Sequence, residues 1–317
     1  EIYTLSLHDA LPIYELRRLR FDRIERSLPV GSRTSHQRIP LPRDGRHPAR
    51  GCGDRERTAC KRGQDQVMVM DLRKEDGDGG SGIRRRIEEI RERIAASARR
   101  SGRSLEDVLL VGVSKFQRVD SMYAAMDCGV AIFGENRVQE RERKALLWNR
   151  GQPVWHMIGH LQRNKARKAI ELFDCVESVD SLELAETMDR ILREKADAGE
   201  CRKEPYPVFV EVNTSGESSK EGVSPDGLYR LVESIVTGCP RIRVEGLMTI
   251  GPLSDDEKRV RAAFSMLREF DDGLRRRFGI EKGHLSMGMT GDFEAAIEEG
   301  STLVRIGTGI FGVRSAI

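Results

Sequence analysis

Cysteine is sparse and unpatterned in this chain. Its six cysteines, Cys52, Cys60, Cys128, Cys175, Cys201 and Cys239, show no C-x-x-C spacing. Neither a disulfide framework nor a zinc site is implied, which suits a reducing, cytoplasmic setting. No apolar run reaches 18 residues, so the sequence offers no membrane-spanning helix. A dominant charge sign is missing too. Of 54 Lys+Arg and 51 Asp+Glu, residues 1–67 carry 14 and 9, leaving 40 and 42 for residues 68–317. That near balance removes the basic footprint of a nucleic-acid binder. No G-x-G-x-x-G follows the first apolar run, which argues against a dinucleotide fold.

The first 67 residues also lack any apolar period. "LSLHDALPI", Leu5 to Ile13, is what translation of a common sequencing-adapter oligonucleotide gives. The Arg-rich stretch after it cannot bury enough surface to offset its ordering entropy, and the nine acidic residues of 1–67 fit an organelle transit peptide badly. The expectation is a non-native or disordered leader over 1–67, with a natural start at Met68 or Met70. A flexible segment over 68–82 and one domain over 83–317 follow.

What is present begins at Gly82. Ile83, Ile87, Ile90, Ile94 and Ala95 form the stripe of an amphipathic helix that Gly102 closes. Eight short apolar runs follow, at 109–114, 131–136, 154–159, 175–180, 207–213, 244–250, 284–287 and 302–307, each separated by a helical segment. Strands that read as continuous apolar runs between helices predict a parallel sheet covered by helices. Eight such units in about 250 residues predict a single-domain (β/α)8 TIM barrel, a doubly wound α/β sheet being the rival.

A barrel of this kind carries its chemistry at the C-terminal ends of its strands. The polar residues there are Ser114, Lys115, Glu135, Asn136, His156, Asn213, Thr249, Ser286 and Arg305. The turn "RIGTGIFG", Arg305 to Gly312, offers the amides of Gly307, Thr308 and Gly309 to a phosphate. A lysine whose pKa is lowered among apolar neighbours forms a Schiff base with an aldehyde. Lys115, an anion-binding cradle and Arg305 together suit a phosphorylated aldehyde. Taken singly these residues have plainer readings. His156 between Trp155 and Met157 suits a core histidine, and Arg305 suits a barrel arginine paired with Glu211 or Glu245. The runs "RERK" at 141–144 and "QRNKARKAI" at 162–170 suit solvated helix faces.

The motifs "VGVSK", "FGENRVQE", "WHMIGHLQRNK", "VFVEVNTSGESSKEG", "EGLMTIGP" and "LSMGMTGDFEAAIEEGSTLVRIGTGIFG" together resemble the pyridoxal phosphate homeostasis family over about residues 83–314. The resemblance implies a barrel similar to the N-terminal domain of alanine racemase (fold type III) that binds pyridoxal 5′-phosphate (PLP). It implies an aldimine on Lys115, with Arg305 near the pyridine nitrogen. A guanidinium accepts no proton there, so the ring is a weak electron sink. It further implies a phosphate held by Ser286, the backbone around Met287, Gly307 and Thr308, with Asn136 and His156 near the cofactor. Two departures stand out. The family writes "VSKTxP" where this chain has "VSKFQR", so Phe116 is expected to reshape the wall and Arg118 to lose the φ constraint of a proline.

Racemization in the alanine racemase relatives needs a second base, a tyrosine from a C-terminal β-domain, and this chain ends at Ile317. Tyr123, Tyr206 and Tyr229 are expected off the rim. The expected function is therefore a monomeric PLP carrier that buffers or delivers the cofactor, transiently to apo PLP-dependent enzymes, without turnover. A weak amino-acid racemase using Lys115 as its base, or an aldolase-like sugar-phosphate enzyme, is the alternative. No nucleic acid, membrane or metal is expected.

Overall fold

Eight parallel strands close on themselves in sequence order. The structure is a computed structural model that describes residues 80–200, 205–217, 220–278 and 283–312. The expected leader over 1–67 and most of the segment after it lie outside the described residues. The strands are β1 (Leu109–Val113), β2 (Ile132–Glu135), β3 (Val154–Met157), β4 (Cys175–Val179), β5 (Tyr206–Glu211), β6 (Ile242–Met248), β7 (His284–Ser286) and β8 (Leu303–Ile306). β1 pairs with β8 from Leu109↔Leu303 to Gly112↔Ile306, which shuts the barrel and excludes the doubly wound sheet.

The first helix, α1 (Gly80–Arg100), starts three residues before the expected boundary at 83. Its Ile83, Ile87, Ile90 and Ile94 are buried as the period requires. The stripe then drifts to Ser97 and Ala98 rather than Ala95, because 3.6 residues per turn carry the face onward. Gly102 takes φ +69° and the Arg103 amide reaches back to the Ala98 carbonyl at 2.8 Å. That left-handed cap is the stop the sequence announced.

The other helices are α2 (Val119–Asp127), α3 (Val138–Leu147), α4 (Ala166–Leu172), α5 (Leu182–Asp197), α6 (Leu228–Gly238), α7 (Glu257–Phe278), α8 (Phe293–Glu298) and α9 (Thr308–Phe311). Strand alternation divides the apolar residues into two cores. One lies between sheet and helices and includes Phe133, Trp155, Met157, Leu247, Leu285 and Met287. The other fills the barrel and consists of Val111, Cys175, Phe209, Met248 and Leu303, with Leu109 and Ile132 against it. No described helix is long and apolar enough to cross a membrane.

Candidate functional site

The inner core fixes which polar residues meet at the mouth. Two-residue steps from Val111, Ile132, Cys175, Phe209 and Leu303 toward the C-terminal rim reach Lys115, Asn136, Glu177, Glu211, Arg305 and Gly307. His156 and Ser286 alternate with outer-core residues and so also face inward. Six of the eight predicted residues, Lys115, Asn136, His156, Ser286, Arg305 and Gly307, thus share one face. Thr308 is exposed at the start of α9. Met287 is turned the other way: its side chain is buried in the outer core, and its amide donates to the Leu303 carbonyl at 3.1 Å.

One chain of hydrogen bonds ties the β3, β4, β7 and β8 ends together. His156 Nδ1 meets Glu177 Oε1, and the Ser286 hydroxyl donates to Glu177 Oε2. Arg305 donates from Nη1 to Ser286 Oγ at 2.6 Å and from Nη2 to the Thr249 carbonyl at 2.7 Å. All four side chains are buried. Glu245, one partner considered for Arg305, is instead engaged by Arg243 at 2.6 Å.

Glu177 is the member that sequence reading missed. Burial by itself would raise its pKa; the His156 hydrogen bond and the His156 and Arg305 charges outweigh that and hold it below the usual carboxylate range. Burial lowers the Arg305 pKa against the opposing pull of Glu177, Glu211 and Asp292. Glu211, buried at the end of β5, is pushed up to about 7, first by desolvation and then by Asp180, Glu221 and Glu177, with Arg305 opposing. The signal for Glu177 was a carboxylate inside the apolar run "CVESV", since a charge within a buried strand demands a partner.

The β1 side is built differently. Lys115 is half-buried, and no hydrogen bond or ion pair engages its ammonium among the described residues. It sits in a turn closed by the Gln117 amide on the Ser114 carbonyl at 2.9 Å, with Phe116 at φ +62° in third place. That is the type II pattern, which favours Gly or Asn there. Phe116 is 60 % exposed, so it reshapes the outer rim. Arg118 keeps φ −73°, a value proline would enforce.

Behind the turn, Lys144 donates to Glu135 Oε1 at 2.5 Å and to the Ser114 carbonyl, while Ser114 Oγ reaches the same carboxylate oxygen at 2.7 Å. Lys144 therefore does not belong to a solvated face, and neither does Arg141, whose guanidinium lies 4.0 Å from the Trp155 ring centroid. The apolar floor under α3 draws both inward along their aliphatic stems. Glu135 Oε2, Asn136 Oδ1 and His156 Nε2 are buried with no hydrogen-bond partner.

Comparison with known proteins agrees with this arrangement. The family described as alanine racemase, N-terminal domain, matches residues 87–315. The chain is 38 % identical over 229 residues to the pyridoxal phosphate homeostasis protein of Aquifex aeolicus, covering 72 % of this chain and 97 % of that one. It is 37 % identical over 236 residues to the protein of the same name from Escherichia coli, covering 73 % and 97 %. This chain belongs to the pyridoxal phosphate homeostasis family. A structure of PipY from Synechococcus elongatus with PLP bound superposes with a TM-score of 0.62 at 33 % identity, covering 73 % of this chain and all of that one.

Proposed function

We propose that this protein holds PLP at the barrel mouth through Lys115 and buffers or delivers it without substrate turnover. The observation that carries the reading is an inward-facing lysine amine with no described partner, at the end of the strand next to the one that carries a buried arginine in a locked network. When bound, PLP supplies an aldehyde that condenses reversibly with an amine and a phosphate that anchors it.

The residues fit such a group. The amides of Gly307 and Thr308 donate to no described residue, which leaves them for a phosphate. With Nδ1 committed to Glu177, the His156 ring keeps a buried Nε2 without a hydrogen-bond partner for a ligand atom. Arg305 contributes a fixed positive charge that accepts no proton. Ser286 and Met287 enter differently from the resemblance: the Ser286 hydroxyl is spent on Glu177 and the Met287 amide on β8. In this reading Ser286 positions Arg305, and the Gly307 and Thr308 amides hold the phosphate.

Holding without turnover is supported by the tyrosines. Tyr123 is bonded to Asn149 at 2.9 Å, Tyr206 to the Phe173 carbonyl at 3.0 Å, and Tyr229 packs edge-on against Phe270. None of these three stands at the mouth as a second acid or base. A monomer in the cytoplasm, meeting apo-enzymes transiently, completes the proposal; Cys128, Cys175 and Cys239 form no disulfide among the described residues, as in a reducing compartment.

The test is absorbance titration with PLP. The wild type gains a saturable visible band, Lys115→Ala does not, and the α-hydrogen of alanine or serine exchanges with deuterium no faster than with free PLP. Equal bands in both proteins overturn the Lys115 role, and faster exchange replaces the carrier by a weak racemase.

A further inference from the structure

A cavity of about 840 Å3 opens beside the mouth, outside the ring of Lys115, His156 and Arg305. Its walls come from the turn before α2, one face along the length of α3 and the loop after β3, with Phe116, Leu147 and Leu161 as apolar surface. Arg118, Arg137, Arg143 and Lys165 line it as well.

The charges are unbalanced. Elsewhere on the surface Arg93 pairs with Glu294, Arg150 with Asp127 and Arg261 with Glu298. Arg137, Arg143 and Lys165 make no ion pair and no side-chain hydrogen bond with any described residue. Among the lining residues the one carboxylate is Glu140, already engaged by the Phe116 amide and by Lys144 at 3.5 Å. His160 is answered by Asp180 at 3.3 Å. Three uncompensated cations in one concavity repel each other and focus positive potential into it.

Two helix starts add to that field. Arg118 and Arg137 are the N-caps of α2 and α3, and neither supplies a side-chain cap. Ser, Thr, Asp or Asn normally accepts from the free amides there, and an arginine places positive charge on the positive end of the helix dipole. An anion in the cavity answers both defects at once. The volume lies within the roughly 300–1,000 Å3 of small-molecule sites, which favours a small ligand over a macromolecular surface.

We infer that this cavity binds an organic phosphate, a small molecule joining a phosphate group to an apolar body, at a site separate from the proposed PLP phosphate cradle. Phosphate meets Arg137, Arg143 and Lys165, while Phe116, Leu147 and Leu161 cover the body. The inference is independent of Lys115 chemistry.

The test is calorimetric titration of the full chain with AMP, pyrophosphate and adenosine, in wild type, an Arg143→Glu/Lys165→Glu double variant and Thr308→Glu. AMP binds the wild type, adenosine gives no heat, and pyrophosphate binds more weakly than AMP. The double variant loses at least tenfold in AMP affinity, with its melting temperature unchanged because neither side chain makes an ion pair or side-chain hydrogen bond with a described residue. Thr308→Glu stays within twofold for AMP. Loss confined to Thr308→Glu places the phosphate at the barrel mouth and overturns the inference, as does an absence of heat with every phosphate probe. A poly-glutamate peptide that binds where AMP does not replaces the small ligand by an acidic partner. Failure of the PLP band with intact AMP binding separates the two readings.

Discussion

The two halves of the rim answer burial in opposite ways. On the β4, β7 and β8 side, buried charges satisfy one another: Glu177 takes His156 and Ser286, and Arg305 takes Ser286 and the Thr249 carbonyl. On the β1 and β2 side Glu135 is paired with Lys144 behind the turn, but Lys115 has no described partner, Glu135 Oε2 and Asn136 Oδ1 are orphaned, as His156 Nε2 is on the other side, and Phe116 is held in the left-handed region. A buried ion pair is costly to break because the survivor stays buried and charged. One half of the mouth therefore serves as a fixed frame. The other keeps uncommitted groups next to open space, which is where a reactive amine has to be.

Breaking the frame gives the largest expected effect. Glu177→Ala leaves Arg305 and His156 without their shared carboxylate, and denaturant unfolding is expected to show a loss of about 3–5 kcal/mol. Lys115→Ala, on the open half, is expected to cost less than about 1 kcal/mol, since no described contact is lost. Equal losses in the two variants would erase the contrast.

Glu211, beside the frame, carries the next effect and makes it dependent on pH. Its folded pKa of about 7 lies above the ordinary 4.5, so the folded protein binds more protons than the unfolded chain between those values. Stability is full below about 4.5 and falls as pH rises through 7, by on the order of 3 kcal/mol for this group alone. Glu211→Gln flattens that segment of the melting-temperature profile of the PLP-free protein. A variant with the wild-type slope would show that another group titrates there.

The open half yields smaller gains. Phe116→Asn puts a residue that tolerates φ +62° into the turn and is expected to raise stability by about 1 kcal/mol. Arg118→Pro fits φ −73° and is expected to add roughly 0.5 kcal/mol by narrowing the unfolded ensemble. Losses in both variants would mean that the turn is not under the strain its dihedrals indicate.

The frame was harder to read from sequence than the open half. All eight strands overlap the runs of apolar residues, β5 starting one residue and β6 two residues earlier, because continuous hydrophobicity marks strands buried on both faces, and the inward positions of Lys115, Asn136, His156, Ser286 and Arg305 follow from strand ends and period two. Glu177 was passed over because it looks like one polar residue in an apolar run; its role depends on Ser286, 109 residues away, and spacing does not carry such a contact. Lys144 was read as solvent-facing because "RERK" is all charge, and only the depth of Glu135 shows that one of those cations must turn inward. That Arg118 and Arg137 stand at the cap positions of α2 and α3 and converge on one cavity emerged only with the closed barrel.

The most direct test of the central claim is borohydride reduction of the full chain with PLP, followed by peptide mass mapping. The account predicts one stoichiometric pyridoxyl adduct on Lys115, with Lys144 unlabelled behind its pairing with Glu135. An adduct on Lys144 or Lys165, or labelling scattered over surface lysines, would contradict the claim that the open half of the mouth exists to hold a reactive amine.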